Sequence, residues 1–268
     1  MNKNLLLLLV CIMTAICGFA QATSGTCGAN LTWEISGTTL TISGTGEMTD
    51  YDILSGQSPP WYGISYDVVE IKDGVTSIGN SAFRFNSRVK LINIPNTLTR
   101  IGYQAFENCW SIKSINIPKN VTSIGEDAFF LCKSLESIEV DPANLYYSSE
   151  NGVLFDKTKT KIVSFPGGKS GSYTIPSHVT SIGDMAFGGC NLSSVIIPNS
   201  VISIGDNVFM DSNLSSVVIS DGITSIWNYA FYRCSALVSI DIPSSVQVSG
   251  ITLLVIVPSL LQLIFPIA

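Results

Sequence analysis

Seven cysteines and one histidine, His178, are the residues of this 268-residue sequence best suited to metal or nucleophile chemistry. Metal sites need clustered ligands, and a hydrolase needs a base beside its nucleophile. His178 precedes a valine in a Pro-x-x-Val phrase, where related phrases have Asn120, Ser200 or Gly222. We therefore interpret His178 as a surface residue. We expect no metal, no cofactor, no small-molecule substrate and no enzyme activity.

Four cysteines occupy one position of a repeated phrase, three residues after a phenylalanine: Cys109, Cys132, Cys190 and Cys234. Two further copies of the phrase have Asn86 and Ser212 at this position, which indicates a small buried group at a turn. Disulfides are permitted in an exported protein. However, stacked repeats would hold neighbouring Cβ vectors parallel, which is poor disulfide geometry. We interpret the four as structural thiols and leave the pairing of Cys27 open.

Two classes of ligand are disfavoured by composition and motif. The net charge of −6 argues against nucleic acid, which needs a basic stripe. Gly168, Lys169 and Ser170 match the end of a phosphate-binding loop, but Val163 stands where that motif needs glycine. No strand-to-helix context surrounds the match. Nucleotide binding is therefore not predicted.

The cysteine-bearing phrase is one part of an internal repeat. VTSIGEDAFFLC, at residues 121–132, is written six times with small changes, and its phenylalanines are spaced by 23, 23, 58, 22 and 22 residues. A period of this length is typical of solenoids, in which each unit packs only on its neighbours. The sequence therefore predicts an elongated, mainly β array, with repeats 1–3 at residues 67–141 and repeats 4–6 at residues 176–245.

Each repeat contains an Ile-x-Ile phrase that is typical of a short strand with two side chains facing inward. Ile115 and Ile117 illustrate this pattern, and Pro118 then ends the strand. We predict that Ala128 and Phe129 lie on a short helical turn. We also predict that Gly125 has a backbone angle barred to other residues. Trp227, at the corresponding position of the last copy, would then be strained.

Two segments interrupt or precede the repeats. Residues 21–66 contain alternating apolar residues on either side of Gly37, which predicts a β cap over the first edge of the array. Residues 142–175 fill the long gap between phenylalanines. Within them, Val153 to Phe155 and Lys161 to Phe165 are typical of two strands. We predict a β-hairpin insertion.

The N-terminus has the pattern of an export signal. Lys3 precedes an apolar run and small residues lead to Ala20, so we predict a signal peptide at residues 1–20 and an exported, surface or secreted protein. Lipidation at Cys17 is the alternative, although Thr14, Ala15 and Ile16 do not match the usual approach to a lipidated cysteine.

The C-terminal residues 246–268 have lost every repeat feature. The 20 residues from Ser249 carry no charge and are long enough to span a membrane, but Pro258 and Pro266 interrupt them. Codons compatible with residues 246–258 contain the repeat phrase TSIGNYAFSDCS in another reading frame, as if one base had been lost from the Val246 codon. We therefore predict a frameshifted tail and an open apolar edge beyond the last strand. A membrane anchor is the alternative.

The SIGxxAFxxC and IPxxVTSIG phrases, with TCGANLTWEISGTTLTISGTGEM and Pro60-Trp61-Tyr62 before them, resemble the BspA-like, treponemal-type leucine-rich repeats of bacterial surface proteins. The resemblance covers about residues 26–245. It implies a right-handed leucine-rich-repeat solenoid with parallel strands on one face and short helical turns. It also implies adhesion to host matrix proteins or other cells. It carries no catalytic residue.

Two hypotheses of function follow. The first is a non-enzymatic module that binds protein partners through the residues facing outward between the paired strand hydrophobics. The second is a structural or self-assembling spacer without a specific ligand, anchored in the membrane if the tail is genuine. We call the candidate contact residues the outward row: Glu70, Asn93, Asn116, Glu139, Ile196, Val218 and Asp241.

Overall fold

A computed structural model describes residues 22–223, 229–241, 243 and 245, together with the backbone of 262–264. The predicted signal peptide and Trp227 lie outside these residues, as does the tail apart from that short strand. In the described part, no helix has the length and apolar character needed to span a membrane.

The described elements are strands and one short 3-10 helix. The strands of the cap and of the first three repeats are β1 (Ser24–Gly28), β2 (Leu31–Ser36), β3 (Thr39–Gly44), β4 (Gly46–Glu47), β5 (Val68–Ile71), β6 (Val75–Ile78), β7 (Leu91–Asn93), β8 (Arg100–Ile101), β9 (Ser114–Ile117), β10 (Ser123–Ile124) and β11 (Ser137–Val140). The later strands are β12 (Tyr147–Glu150), β13 (Val153–Asp156), β14 (Lys161–Ser164), β15 (Ser170–Thr174), β16 (Ser181–Ile182), β17 (Asn191–Ile197), β18 (Ser203–Ile204), β19 (Ser216–Ile219), β20 (Ser239–Asp241) and β21 (Gln262–Ile264). The 3-10 helix spans Ile53–Ser55.

The repeats coil into a mainly β solenoid, as predicted, but its strands lie on two faces and not on one. The Ile-x-Ile strands form the first strand face, in the orders β5-β7, β9-β11 and β15-β17-β19-β20-β21. The Thr-Ser-Ile strands form the second, in the orders β4-β6-β8-β10 and β14-β16-β18. Equivalent residues of successive repeats pair in parallel, as Ile115 does with Ile138. This confirms the parallel leucine-rich-repeat architecture.

The N-terminal segment closes one end of the array. Strands β1, β2 and β3 form an antiparallel meander, and β3 then pairs in parallel with β5 of the first repeat. Trp61 packs edge-on against Trp33, with ring centroids 6.0 Å apart, and its indole N–H donates to the carbonyl of Ala82. The cap therefore supplies hydrogen-bond partners for the edge strand of the first repeat, and its tryptophans begin the aromatic core.

The turn that carries Ala128 and Phe129 is not helical, contrary to the prediction. In the first repeat, the N–H groups of Ser81, Phe83 and Phe85 donate to the next coil, at 2.8–2.9 Å. The alternate N–H groups of this turn bond within their own coil. A helix would direct every N–H along its own chain and leave none for the neighbouring coil. Left-handed residues, including Ser81 and Phe85, produce the alternation.

The prediction for Gly125 was also wrong. Gly125 is not among the residues with positive φ. A Cβ placed there would lie 2.5 Å from Tyr103 N and 2.6 Å from Gly102 C, so glycine is required because two coils approach closely. The strain predicted for Trp227 assumed a left-handed angle, which the described copies of this glycine do not have.

The repeat phenylalanines stack along the core. Successive centroids from Trp61 through Phe83 and Phe106 to Phe129 are 5.5–5.9 Å apart. A second column runs through Phe165, Phe187, Phe209 and Phe231, at 4.8–5.4 Å. Phe165 comes from the segment between repeats 3 and 4, and it takes the place of a repeat phenylalanine there.

The segment between the columns contains the expected antiparallel pair, β13 with β14. It is more than a hairpin, because β12 pairs with β13, β14 continues in parallel to β16, and β15 pairs in parallel with β17. The segment thus supplies one irregular coil of the solenoid.

The last described repeat strand does not have the open edge that we predicted. Strand β20 pairs in parallel with β21, with Ser239 opposite Gln262 and Asp241 opposite Ile264. Backbone groups make this ladder, so a strand can cover the edge without any repeat motif in its side chains.

Candidate functional site

Every member of the outward row lies on the solvent side of the first strand face. In β9, Ile115 and Ile117 are buried and Asn116 between them is exposed. The same alternation holds along β19, where Val217 and Ile219 are buried and Val218 is exposed. Glu70 is the most covered of the seven and is half-buried. The period of two along each strand produces this arrangement.

Strand register brings neighbouring members of the outward row side by side. Glu70 is directly opposite Asn93, and Asn116 is opposite Glu139. In the second half, Ile196 is opposite Val218, which is in turn opposite Asp241. Direct neighbours in a parallel ladder are close enough for their side chains to act together.

The first part of the outward row is polar and internally bonded. The Asn93 side-chain amide donates to a Glu70 carboxylate oxygen, and Lys72 Nζ lies 3.6 Å from the other oxygen of Glu70. Ser149 Oγ donates to Glu139 at 3.3 Å. Exposed pairs of this kind contribute little to stability. They do fix the side chains in defined positions on the surface.

The second part of the outward row is apolar. Ile196 and Val218 are 42% and 40% exposed, and they lie side by side on β17 and β19. Thr174 and Asp241 flank them in the same register. Two adjacent aliphatic side chains on an otherwise polar strand face form a local apolar patch.

A family model decides which repeat class this is. The model described as BspA type leucine-rich repeat region, in six copies, matches residues 61–170 and 158–266. The chain belongs to this family. BspA-type proteins are leucine-rich repeat proteins, which generally bind other proteins and are usually non-enzymatic scaffolds.

Solved structures agree with this assignment. The chain is similar to a leucine-rich repeat protein from Eubacterium ventriosum, with 26% identity, a TM-score of 0.50, and coverage of 83% of this chain and 79% of that one. It is also similar to the pneumococcal vaccine antigen PcpA, with 15% identity, a TM-score of 0.51, and coverage of 88% and 90%. This second likeness shows the fold alone. Among curated proteins, none matches the sequence.

The cysteines of the BspA-type repeat form hydrogen bonds between coils. The thiols of Cys109, Cys132 and Cys234 donate to the carbonyls of Phe83, Phe106 and Phe209 in the preceding coils, at 3.0–3.1 Å. All four repeat thiols are buried and free, and so is that of Cys27. Burial raises the pKa of Cys132 and of Cys190 to about 12, so their reactive thiolate forms are negligible at neutral pH.

The remaining chemical candidates have structural surroundings. His178 is exposed, and its ring centroid is 6.2 Å from that of Phe155. A Cβ at Gly168 would lie 2.6 Å from Ser134 C, so this glycine allows close packing on repeat 3. Ser170 begins β15. In the described part of the chain, no group of three or more His, Cys, Asp or Glu residues could hold a metal ion.

Sequence reasoning missed two features. One is a buried ion pair on the turns, in which Arg84 Nε lies 2.8 Å from one Glu107 oxygen and Arg84 Nη2 donates to the other at 3.0 Å. Burial nevertheless raises the pKa of Glu107. The second is a cleft of about 380 Å³ between the turns of repeats 3 and 4, beside the inserted coil, and it is lined by the turn of Asp127 and by Lys161 and Met185. We call it the seam cleft.

Proposed function

We propose that this chain is an exported, non-enzymatic module of the bacterial cell surface that binds protein partners through the first strand face. The family supports protein binding in general. The observation that carries the particular surface is the exposed pair Ile196 and Val218, held side by side by the β17–β19 register. Rigid neighbouring side chains lose little conformational entropy when a partner covers them.

The apolar pair is expected to act as the centre of the contact, with the polar members of the outward row around it. Covering two half-exposed aliphatic side chains contributes about 1–2 kcal/mol, or roughly tenfold in affinity. The carboxylates of Glu70, Glu139 and Asp241 give the same face a negative character. A partner with a complementary apolar and basic surface fits this arrangement.

Binding of the purified protein to immobilised host matrix proteins and to whole cells tests the proposal. Ile196→Ser with Val218→Ser should weaken binding about tenfold, and circular dichroism should show that the double variant remains folded. Ile202→Ser is the matched control, because Ile202 is 67% exposed but lies outside the first strand face. Equal binding by the double variant and the unchanged protein would remove this pair from the contact.

Export is supported by the residues that precede the cap. We propose cleavage after Ala20, which would leave Gln21 at the mature N-terminus. N-terminal sequencing of protein recovered from the native culture tests this. A start at Cys17 would indicate the lipidated form instead.

The tail proposal is carried by the repeat phrase that a one-base shift restores. We propose that residues 246–268 are the out-of-frame continuation of another repeat. Resequencing of the gene, with mass spectrometry of the native protein, tests this. The proposal is refuted if no single-base change near the Val246 codon restores a repeat-coding frame.

A further inference from the structure

The seam cleft exists because one turn of the inserted coil is shortened. This turn, which we call the corner, leads from the isoleucine of the second strand face to the core phenylalanine of the same coil. In repeat 4, five positions lead from the buried Ile182 to the core Phe187, whereas in the inserted coil only three lead from Ile162 to Phe165. Ile162 and Ile182 are paired in register, and Phe165 stacks on Phe187. Both ends of the corner are therefore aligned with repeat 4, and two residues of backbone are missing between them.

The missing residues leave donors without acceptors on the repeat 3 side. In repeat 2, the N–H groups of Gln104 and Phe106 donate to the carbonyls of Glu126 and Ala128. The equivalent N–H groups of repeat 3 belong to Asp127 and Phe129, and no backbone carbonyl of the described residues accepts from them. Both residues line the seam cleft. Backbone donors rarely remain unpaired beside a cavity, because an unmade hydrogen bond is costly.

The opposite wall carries the complementary group. The carbonyl of Glu126 in repeat 3 and that of Asp206 in repeat 5 each accept an N–H from the coil before. The carbonyl of Asp184 has the same place in repeat 4, and it receives no backbone donor from the described part of the chain. The seam cleft therefore has unpaired backbone donors on one wall and an unpaired backbone acceptor on the other. An extended main chain can satisfy both.

The charges around the seam cleft favour a basic occupant. Glu126, Asp127, Asp156 and Asp184 line it, against one ammonium group, that of Lys161. The carboxylate of Asp156 is satisfied by the Lys161 N–H and by Thr158 and Thr160. The Asp184 carboxylate accepts from Asp206 N–H at 2.7 Å. Glu126 and Asp127 have no cationic partner among the described residues.

We propose that the seam cleft binds a short extended segment of a partner polypeptide with a basic side chain, and that this segment replaces the missing corner. Its carbonyls accept from Asp127 N–H and Phe129 N–H, its N–H donates to the Asp184 carbonyl, and its cation lies beside Glu126 and Asp127. A volume of about 380 Å³ is at the lower end of ligand pockets, which suits two or three residues. This site lies on the turns, so its test and that of the outward row fail independently.

Amide NMR of the full chain, labelled with ¹⁵N only at aspartate, tests this proposal. The probe is acetyl-Gly-Lys-Gly-amide at millimolar concentration, with acetyl-Gly-Glu-Gly-amide and n-butylamine as comparisons. The lysine peptide should shift the Asp127 amide signal downfield and saturably, because that N–H gains an acceptor. Asp50 and Asp67, in the cap and first repeat, should not move. The signal of Asp127 is assigned by its loss in Asp127→Asn.

Charge variants separate the site from general attraction. Asp127→Asn should weaken lysine-peptide binding about tenfold, read from the Asp184 amide, whereas Glu136→Gln removes a charge outside the cleft and should not. Inserting Gly-Asn between Ile162 and Val163 restores the corner and should abolish binding. If that variant does not fold, Ser164→Trp fills the cleft for the same purpose. No saturable shift at Asp127, or an equal shift with butylamine or the glutamate peptide, overturns the proposal.

Discussion

Asn144 fastens the inserted coil to repeat 3, and its removal gives the sharpest test of how the array is held together. Its side chain is fully buried. The amide group donates to the carbonyls of Pro118 and Val121, both at 2.9 Å. Its oxygen accepts from the N–H groups of Tyr146 and Tyr147, at 2.8 and 2.9 Å. All four hydrogen-bonding positions of the side chain are therefore used.

The Asn144→Ala substitution should lower the free energy of unfolding by about 3 kcal/mol. Four buried hydrogen bonds at about 1 kcal/mol each give about 4 kcal/mol. One carbonyl keeps a partner, because Pro118 O also accepts from Val121 N–H at 3.3 Å, and this reduces the loss. The exposed side of the tyrosine pair admits water, which limits the loss further.

Urea unfolding followed by circular dichroism measures this loss. Asn120→Ala is the matched control, because its exposed amide makes one bond, to Asn96 O at 2.7 Å, and its loss should be below about 0.5 kcal/mol. The core comprises two clusters that meet at the inserted segment, so the Asn144 variant should also show a broader transition. A loss below about 1 kcal/mol, or one equal to the control's, would refute this account of the junction.

Three further outcomes are expected. Gly125→Ala should lower the free energy of unfolding by about 2 kcal/mol, since its Cβ meets the backbone of the preceding coil. Gly37→Asn should cost little, because φ is 59° and the space around it is open; equal urea midpoints for the two variants would contradict this. Cys132→Val should lower the free energy of unfolding by about 1 kcal/mol, and Cys132→Ser should lower it less, because serine keeps a donor for Phe106 O. The reverse order of the two variants in thermal unfolding would count against the thiol hydrogen bond. Burial raises the pKa of Asp127 to about 6. Between about pH 4 and 6 the folded chain therefore holds a proton that the unfolded chain has lost, so the free energy of unfolding should fall as the pH rises through this range. In Asp127→Asn this fall should shrink by roughly 1–2 kcal/mol, allowing for partial exposure, and an unchanged pH profile would exclude the shift.

The strand faces could be predicted from the sequence because their signal is a period of two. Ile115 and Ile117 had to share one side of a strand, and Asn116 had to lie on the other. The turns gave no such signal. Ser81, Gln104, Asp127 and Met185 share one left-handed position, although these residue types have no common preference for it. Backbone hydrogen bonds between coils impose that conformation, and the sequence of a single repeat does not reveal them.

Gly125 shows a different limit of the sequence. A recurrent glycine indicates either a left-handed angle or a close approach of two backbones, and the residue type cannot distinguish the two. The seam cleft was predictable in principle, because Ile162 and Phe165 are two positions closer together than Ile182 and Phe187. Treating the segment as a separate hairpin removed it from the repeat register and concealed that difference.

Strand β13 explains how the array tolerates an interrupted ladder at this point. Coils of a solenoid depend on their nearest neighbours, so a break at one interface should uncouple the two halves. However, β13 is buried on both faces: Leu154 packs into the core of the first half, while Val153 and Phe155 pack into that of the second. Side-chain packing across one strand therefore replaces backbone pairing on the turns. The unpaired groups of the seam cleft can persist because the two halves are joined beside it, by this strand and by Asn144.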